Sequence, residues 1–267
     1  HLLAAPPSTR KFLFIFCDGG WDTSCVFTPM GHISGAGVEP DAVVSEAGGI
    51  SFVDHPDRSP VRDFFDNYAD RTCVINGLEV RSVAHERCLQ LFLAPETGPG
   101  DDWPTLLASH TSSAMLMPHV ILDGPAFVGD HPQNVVRVGD EGQLNKLLSG
   151  QDVFAEALGA VVPSESVANL EDEFVARRLS GQSGAFAEQY SAAVDRAMSL
   201  QTREDISLSV SLATCERDIA ADCGIAFDCF SLGVSRCAMV RYRGWCSEGW
   251  DTHQQIERQS WNFHDLF

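Results

Sequence analysis

Lys11-Phe12-Leu13-Phe14-Ile15-Phe16-Cys17-Asp18-Gly19-Gly20 is the stretch whose reading decides the fold class. A continuous apolar run closed by Asp-Gly-Gly is the pattern of a strand buried on both faces of a parallel sheet, where helices cover both sides. Working outward, Thr72 to Gly77 reads as a second strand, Pro118 to Gly124 as a third, Asn134 to Val138 as a fourth, and Cys237 to Tyr242 as the last. Helical patterns fall between them, over Val61 to Tyr68, Ala84 to Leu93 and Trp103 to Ser109. Strands alternating with helices predict an α/β domain with a mostly parallel sheet and right-handed crossovers.

From Trp21 to Pro60 the chain is rich in Gly, Pro, Ser and Asp and reads as one long loop region, the kind that carries function inside compact domains. The stretch 141–212 is long for one crossover and reads as a helical insertion on the sheet. Glu141 to Leu158 forms two short helices broken at Gly150 in this reading. Ser164 N-caps a helix with Val167, Leu170, Phe174 and Leu179 on one face; after Gly181 to Gly184, a second carries Phe186, Tyr190, Val194 and Met198. Leu212, Cys215, Ile219, Cys223, Phe227 and Phe230 trace a further stripe closed by Gly233. Gln254 to Phe267 reads as a terminal amphipathic helix. Residues 1–10 are a flexible terminus or the remnant of an export signal, and 11–267 are expected to form one domain.

Of 267 residues, 18 are Lys or Arg and 37 are Asp or Glu, a formal charge of −19. That balance excludes a general nucleic-acid binder, which needs a basic face for phosphate contact, and argues against anionic membrane surfaces. No apolar run approaches the roughly 18–20 residues of a membrane span. The 9 cysteines include no Cys-x-x-Cys pair, so no zinc knuckle is expected. They read either as disulfide partners in an exported protein or as small buried residues.

Ligands of an open parallel sheet bind beyond the carboxyl ends of its strands. Asp18 follows the first strand, and Asp251 with His253 follows the last. If those strands are neighbours, two carboxylates and an imidazole converge at one rim, a set suited to zinc, manganese or iron, with calcium as a further candidate. Such an ion would offset carboxylate repulsion and activate water or polarise an ester oxygen. The same residues also have an ordinary reading: Asp18 caps an Asp-Gly turn, and Asp251 N-caps the last helix with His253 in its first turn. Asp22 reads as a turn or cap residue, and Asp123 as another carboxylate at a strand end.

Ser82-Val83-Ala84-His85-Glu86-Arg87-Cys88 opens a helix, with Ser82 as its N-cap. A hydroxyl at a helix N-terminus beside a metal is also where a phosphoryl or sulfuryl acceptor would sit. His85 could contact the metal, the leaving group or the substrate anion, and Arg81 or Arg87 could pair with substrate oxygens. His32, His55, His110, His119 and His131 read as surface or hydrogen-bonded histidines. Gly-x-Gly-x-x-Gly, Gly-Lys-Ser/Thr and Gly-x-Ser-x-Gly are all absent, which speaks against a dinucleotide enzyme, an NTPase or an α/β-hydrolase esterase. One short echo occurs: Gly20-Trp21-Asp22-Thr23 recurs as Gly249-Trp250-Asp251-Thr252.

Phe14 to Asp22, Val83-Ala84-His85 and Gly249-Trp250-Asp251-Thr252-His253 together resemble a bacterial family, domain of unknown function family 1501, which looks like a branch of the alkaline phosphatase and sulfatase superfamily. The Trp-Asp-Thr-His segment is the specific part of the resemblance. Ala84 stands where the family has Ser, and Glu248 where it has the first Gly of the late motif. The resemblance implies a three-layer α/β/α fold, metal-centred hydrolase ancestry and export, commonly by the twin-arginine route. It matches Asp18, Asp251 and His253 to metal-ligand positions and His85 to a site residue. Family members continue to a Ser-Glu-Phe-Gly-Arg-like strand end and a later Asp-His-Gly, which are not found in this sequence. The chain is therefore expected to be either a fragment or a degenerate member. The two functions in view are an exported metal-dependent hydrolase of a small phosphate or sulfate ester, and a non-catalytic surface, structural or assembly protein with a protein partner.

Overall fold

The computed structural model describes residues 10–29, 39–94, 100–110, 115–138, 165–181, 184–201, 219–244, 249–251 and 257–267. The chain is α/β, with a mostly parallel four-stranded sheet. Its strands are β1 (Phe12–Cys17), β6 (Cys237–Tyr242), β4 (His119–Ile121) and β5 (Val135–Arg137), in that spatial order. β4 pairs in parallel with both β5 and β6. β1 runs the same way along β6: Phe12 N–H donates to Arg236 and Asp18 N–H to Tyr242, and 236 − 12 equals 242 − 18, the constant offset of parallel strands.

The chain divides into two compact units: His1–Phe14 with Gln90–Val240, and Ile15–Leu89 with Arg241–Phe267. The first unit holds β4, β5, α3 (Trp103–Ser109), α4 (Glu165–Ser180), α5 (Ala185–Gln201) and α6 (Ile219–Ser231). Its core joins Val120 and Leu122, Ala238 and Val240 of β6, and Ile225, Ala226 and Cys229 of α6. α6 ends on Gly233 at φ +69°, where the Val234 amide closes on the Cys229 carbonyl, a left-handed stop that glycine makes without a Cβ clash. Of the expected stripe on this helix, Ile219 and Phe230 pack against the core, but Phe227 does not. Asp222, Ile225, Ala226 and Cys229 are the buried face, while Phe227 is 56% exposed. Residues 226 and 227 lie about 100° apart on a helix, so small side chains face the core and the larger ring turns outward. Leu170 and Phe174 of α4, and Tyr190 and Met198 of α5, are likewise exposed.

The second unit holds β2 (Val43–Ala47), β3 (Ile50–Asp54), α1 (Ser59–Tyr68), most of α2 (His85–Leu93) and α7 (Glu257–Leu266). Three expectations fail here. The stretch from Trp21 to Pro60 contains an antiparallel β2–β3 hairpin, turned at Gly48 and Gly49 with φ of +56° and +81°. Thr72 to Gly77, expected as a strand, is assigned to no strand, and Ile75 and Leu78 are exposed. β1 departs from its expected burial on both faces: it is the end strand of the sheet order, and Ile15 is exposed.

An aromatic cluster forms the core of this unit. Trp250 meets Phe263 at 4.8 Å and Trp21 at 5.4 Å between ring centres, and Phe52 stacks on Phe65 at 4.4 Å. Arg58, fully buried, donates to Ser260 Oγ at 2.5 Å and to Glu39 at 2.6 Å, tying α7 to the loop before β2. Tyr242 donates its hydroxyl to Asp265 at 2.5 Å, and burial first, then that carboxylate, pushes its pKa up.

The expected helices over Glu141 to Leu158, the cap at Ser164 and the stripe positions Leu212 and Cys215 lie outside the described residues. Among the described residues no helix is long and apolar enough to cross a membrane. Cys25, Cys229 and Cys237 are buried free thiols, and burial pushes each up to about 12.

Candidate functional site

The rim of the second unit is built where β1 and β6 end. Asp18 leaves β1 with its amide on the Tyr242 carbonyl, and its own carbonyl accepts the Trp250 amide at 2.8 Å. The loops carrying Asp18 and Asp251 therefore meet backbone to backbone. Gly19, at φ +106°, makes this possible: a Cβ there would stand 2.8 Å from the Asp251 amide nitrogen.

Each carboxylate has a basic neighbour. Arg241 Nη1 donates to Asp18 Oδ2 at 3.0 Å, and His85 Nε2 lies 3.4 Å from Asp251 Oδ2. Both carboxylate side chains are about a third exposed, at 35% for Asp18 and 33% for Asp251. At that exposure solvent weakens either pair, and the worth of each is at most about 1 kcal/mol.

The two echoed segments lie together, and Gly20 and Gly249 share a φ near +85°, at +86° and +84°. Gln259 of α7, buried, spans both: its Nε2 donates to the Trp250 carbonyl at 2.6 Å and its Oε1 accepts the Asp22 amide at 3.3 Å. Asn262 adds a donation to the Gly249 carbonyl at 3.2 Å. Asp22 itself caps a short 3-10 turn, accepting from the Ser24 amide at 2.9 Å.

Ser82 was expected to N-cap this helix, but α2 begins at His85 and Ser82 lies three residues ahead of it, half-buried, with Oγ accepting the Ala84 amide at 3.2 Å. Among the described residues no imidazole or carboxylate hydrogen-bonds that hydroxyl. His253 and His32 lie outside the described residues. Asp123 belongs to the other unit and accepts the Gly124 amide at 2.7 Å, the local turn chemistry of Asp-Gly. Among the described residues no three His, Cys, Asp or Glu side chains form a ready metal cluster.

Sequence reasoning missed Arg241 and Gln259. Arg241 carried a usable signal, being the one charged residue in Cys-Ala-Met-Val-Arg-Tyr. Gln259, inside an exposed-looking helical pattern, carried none. Of the other histidines, His55 accepts the Asp57 amide at 3.1 Å, His110 Nδ1 lies 2.7 Å from the Leu106 carbonyl, and His131 meets Asp101 at 2.5 Å. Asp101, held below the usual carboxylate range by His131 and two backbone amides against the opposing effect of burial, straps 129–131 to 101. No family model, no curated protein and no solved structure matches this chain.

Proposed function

We propose that the rim holds a divalent cation, zinc or manganese before calcium, and that the protein is an exported, hydrolase-like relative of the alkaline phosphatase and sulfatase superfamily with a three-layer α/β/α fold. Its substrate is a small phosphate or sulfate ester. The observation that supports this reading is the Trp250 to Asp18 backbone hydrogen bond, which keeps the loops of two carboxylates together with His85 beside one of them. Two carboxylates, with His253 as the imidazole ligand read from sequence, fit such an ion in donor chemistry, and His85 is left for proton transfer.

A bound ion supplies Lewis acidity to an ester oxygen or an attacking water. The chain supplies the rest. Asp18 and Asp251 would provide the negative charge that holds the cation, His85 Nε2 would take or give a proton at the reacting oxygen, and Ser82, ahead of α2, is the candidate acceptor. Purified protein is expected to bind zinc or manganese by calorimetric titration and to hydrolyse p-nitrophenyl phosphate or sulfate. Asp251→Ala should weaken binding at least about tenfold, the loss of one charged ligand. No bound zinc, manganese, iron or calcium in the wild type, with folding unchanged in Asp251→Ala, would sink the enzyme reading.

The Arg241–Asp18 pair favours a second reading, a non-catalytic surface or assembly protein, since it neutralises a rim carboxylate with the chain's own charge. In that case Asp18→Asn lowers stability and leaves cation binding untouched.

A further inference from the structure

We propose that His131 is a nucleophilic imidazole that accepts a phosphoryl group at Nε2, positioned by the buried carboxylate of Asp101; the site lies within the first unit and is independent of the metal reading above. Asp101 stands just before the Asp102 N-cap of α3, and its side chain is 5% exposed. It accepts the amides of Gly129 at 2.8 Å and His131 at 3.3 Å, and its Oδ2 meets His131 Nδ1 at 2.5 Å. One carboxyl group thus fixes both the backbone and the ring of the same histidine. Against the upward push of burial, the imidazole and the two amides hold that carboxyl below its usual range, so it is an acceptor at neutral pH and the shared proton sits on Nδ1. The neutral ring then carries its lone pair on Nε2. Nε2 has no hydrogen-bond partner among the described residues, and the His131 side chain is 37% exposed. An accessible nucleophile oriented by a third group is the arrangement that covalent catalysis and group transfer use. His55 shows the contrast: its Nδ1 accepts the Asp57 amide and its Nε2 is spent on the Pro40 carbonyl at 2.9 Å.

A neighbouring helix adds positive charge. Gln189 Nε2 of α5 donates to the Asp130 carbonyl at 3.4 Å, and Arg196 Nη2 donates to the carbonyl of Gln133 in the 3-10 turn Pro132–Asn134. Residues 189 and 196 are two helical turns apart on one face, so α5 brackets the segment that carries His131. Arg196, half-buried, has no carboxylate partner among the described residues, which leaves its guanidinium available to the oxygens of an anion. Asp130, the carboxylate beside His131 in sequence, is exposed, and its repulsion is screened by solvent and salt. In the transfer step the Nε2 lone pair attacks phosphorus, the bond from phosphorus to the leaving group breaks, and its electron pair departs with that group, ammonia when the donor is phosphoramidate. The Nδ1 proton stays in place, and Asp101 balances the positive charge that the ring gains.

The test is incubation of wild type, His131→Gln and Asp101→Asn with potassium phosphoramidate at neutral pH, with circular dichroism confirming the fold of each. Phosphohistidine is followed by phosphorus NMR and located by peptide mass spectrometry. In wild type His131 is expected to be labelled at least about tenfold faster than the exposed His264, and in Asp101→Asn that advantage is lost, because an amide can donate to Nδ1 and leave the ring proton on Nε2. His131→Gln is expected to lose the fast phase and keep the slow one. No labelling of His131, labelling no faster than at His264, or an unchanged rate in Asp101→Asn overturns the proposal. Nitrogen NMR of the imidazoles reads the tautomer directly, with the His131 proton expected on Nδ1. Should Asp101→Asn fail to fold, the wild type decides alone: a His131 ring protonated on Nε2 overturns the proposal.

Discussion

His119 is fully buried on β4, with Nδ1 3.3 Å from Thr105 Oγ1 and no hydrogen-bond partner for Nε2 among the described residues. Burial above all, opposed by the nearby Asp102 and reinforced by Arg137, takes the imidazole down to about 4. An unfolded histidine titrates near 6.5, so between about pH 4 and 6.5 the unfolded chain binds more protons than the folded one. This contribution to stability is complete above about pH 6.5 and is lost as pH falls towards 4, with a slope of at most about 1.4 kcal/mol per pH unit. Urea unfolding at pH 7, 6 and 5 is expected to show a shallower acid slope for His119→Gln than for wild type. Parallel slopes would mean that the imidazole charges without unfolding its surroundings. The sequence marked His119 as a hydrogen-bonded or surface histidine, and only the three-dimensional neighbourhood decides which. Asp18 and Asp251 were legible as residues that end strands, whereas Arg241 and Gln259 act through partners 223 and 237 positions away.

At the scale of elements, β1, β6, α1, α2 and α3 were readable because each is a local pattern, an apolar run or a stretch of helical periodicity. The β2–β3 hairpin was hidden by composition. Its turn is Gly48-Gly49 between Val43-Val44 and Phe52-Val53, a two-residue glycine turn that signals a hairpin, but the surrounding Gly, Pro and Ser favoured a loop reading. The opposite error at Thr72 to Gly77 arose because β-branched residues signal a strand even where the described residues offer no ladder partner. The hairpin separates two costs that glycine usually combines. Gly49→Ala meets open space and bears only the left-handed backbone penalty of about 1–2 kcal/mol. Gly48→Ala bears the same penalty, and its Cβ would also stand 2.8 Å from Ala69 Cβ. Thermal unfolding should therefore show Gly48→Ala as the less stable variant by about 1 kcal/mol or more. Equal loss in both would show that Ala69 and the last turn of α1 yield freely.

For the whole molecule, a charge of −19 acts as a diffuse repulsive field that favours expansion. Raising salt from about 10 to 150 mM shortens the screening length from about 30 to 8 Å, and the melting temperature is expected to rise by a few degrees. A fall instead would mean that local ion pairs such as Arg62–Asp54 and Arg58–Glu39 outweigh the field. The two compact units have a further consequence, in time rather than in energy. The second unit is made from 15–89 and 241–267, with 151 residues of the first unit synthesised in between. At about 5–20 residues per second, translation takes roughly 8 to 30 s to cross that interval. During it Phe52, Phe65 and Trp21 exist without Trp250 and Phe263, and Arg58 without Ser260. The aromatic core of the second unit is therefore completed only once Trp250 and Phe263 have been made, after the whole of the first unit.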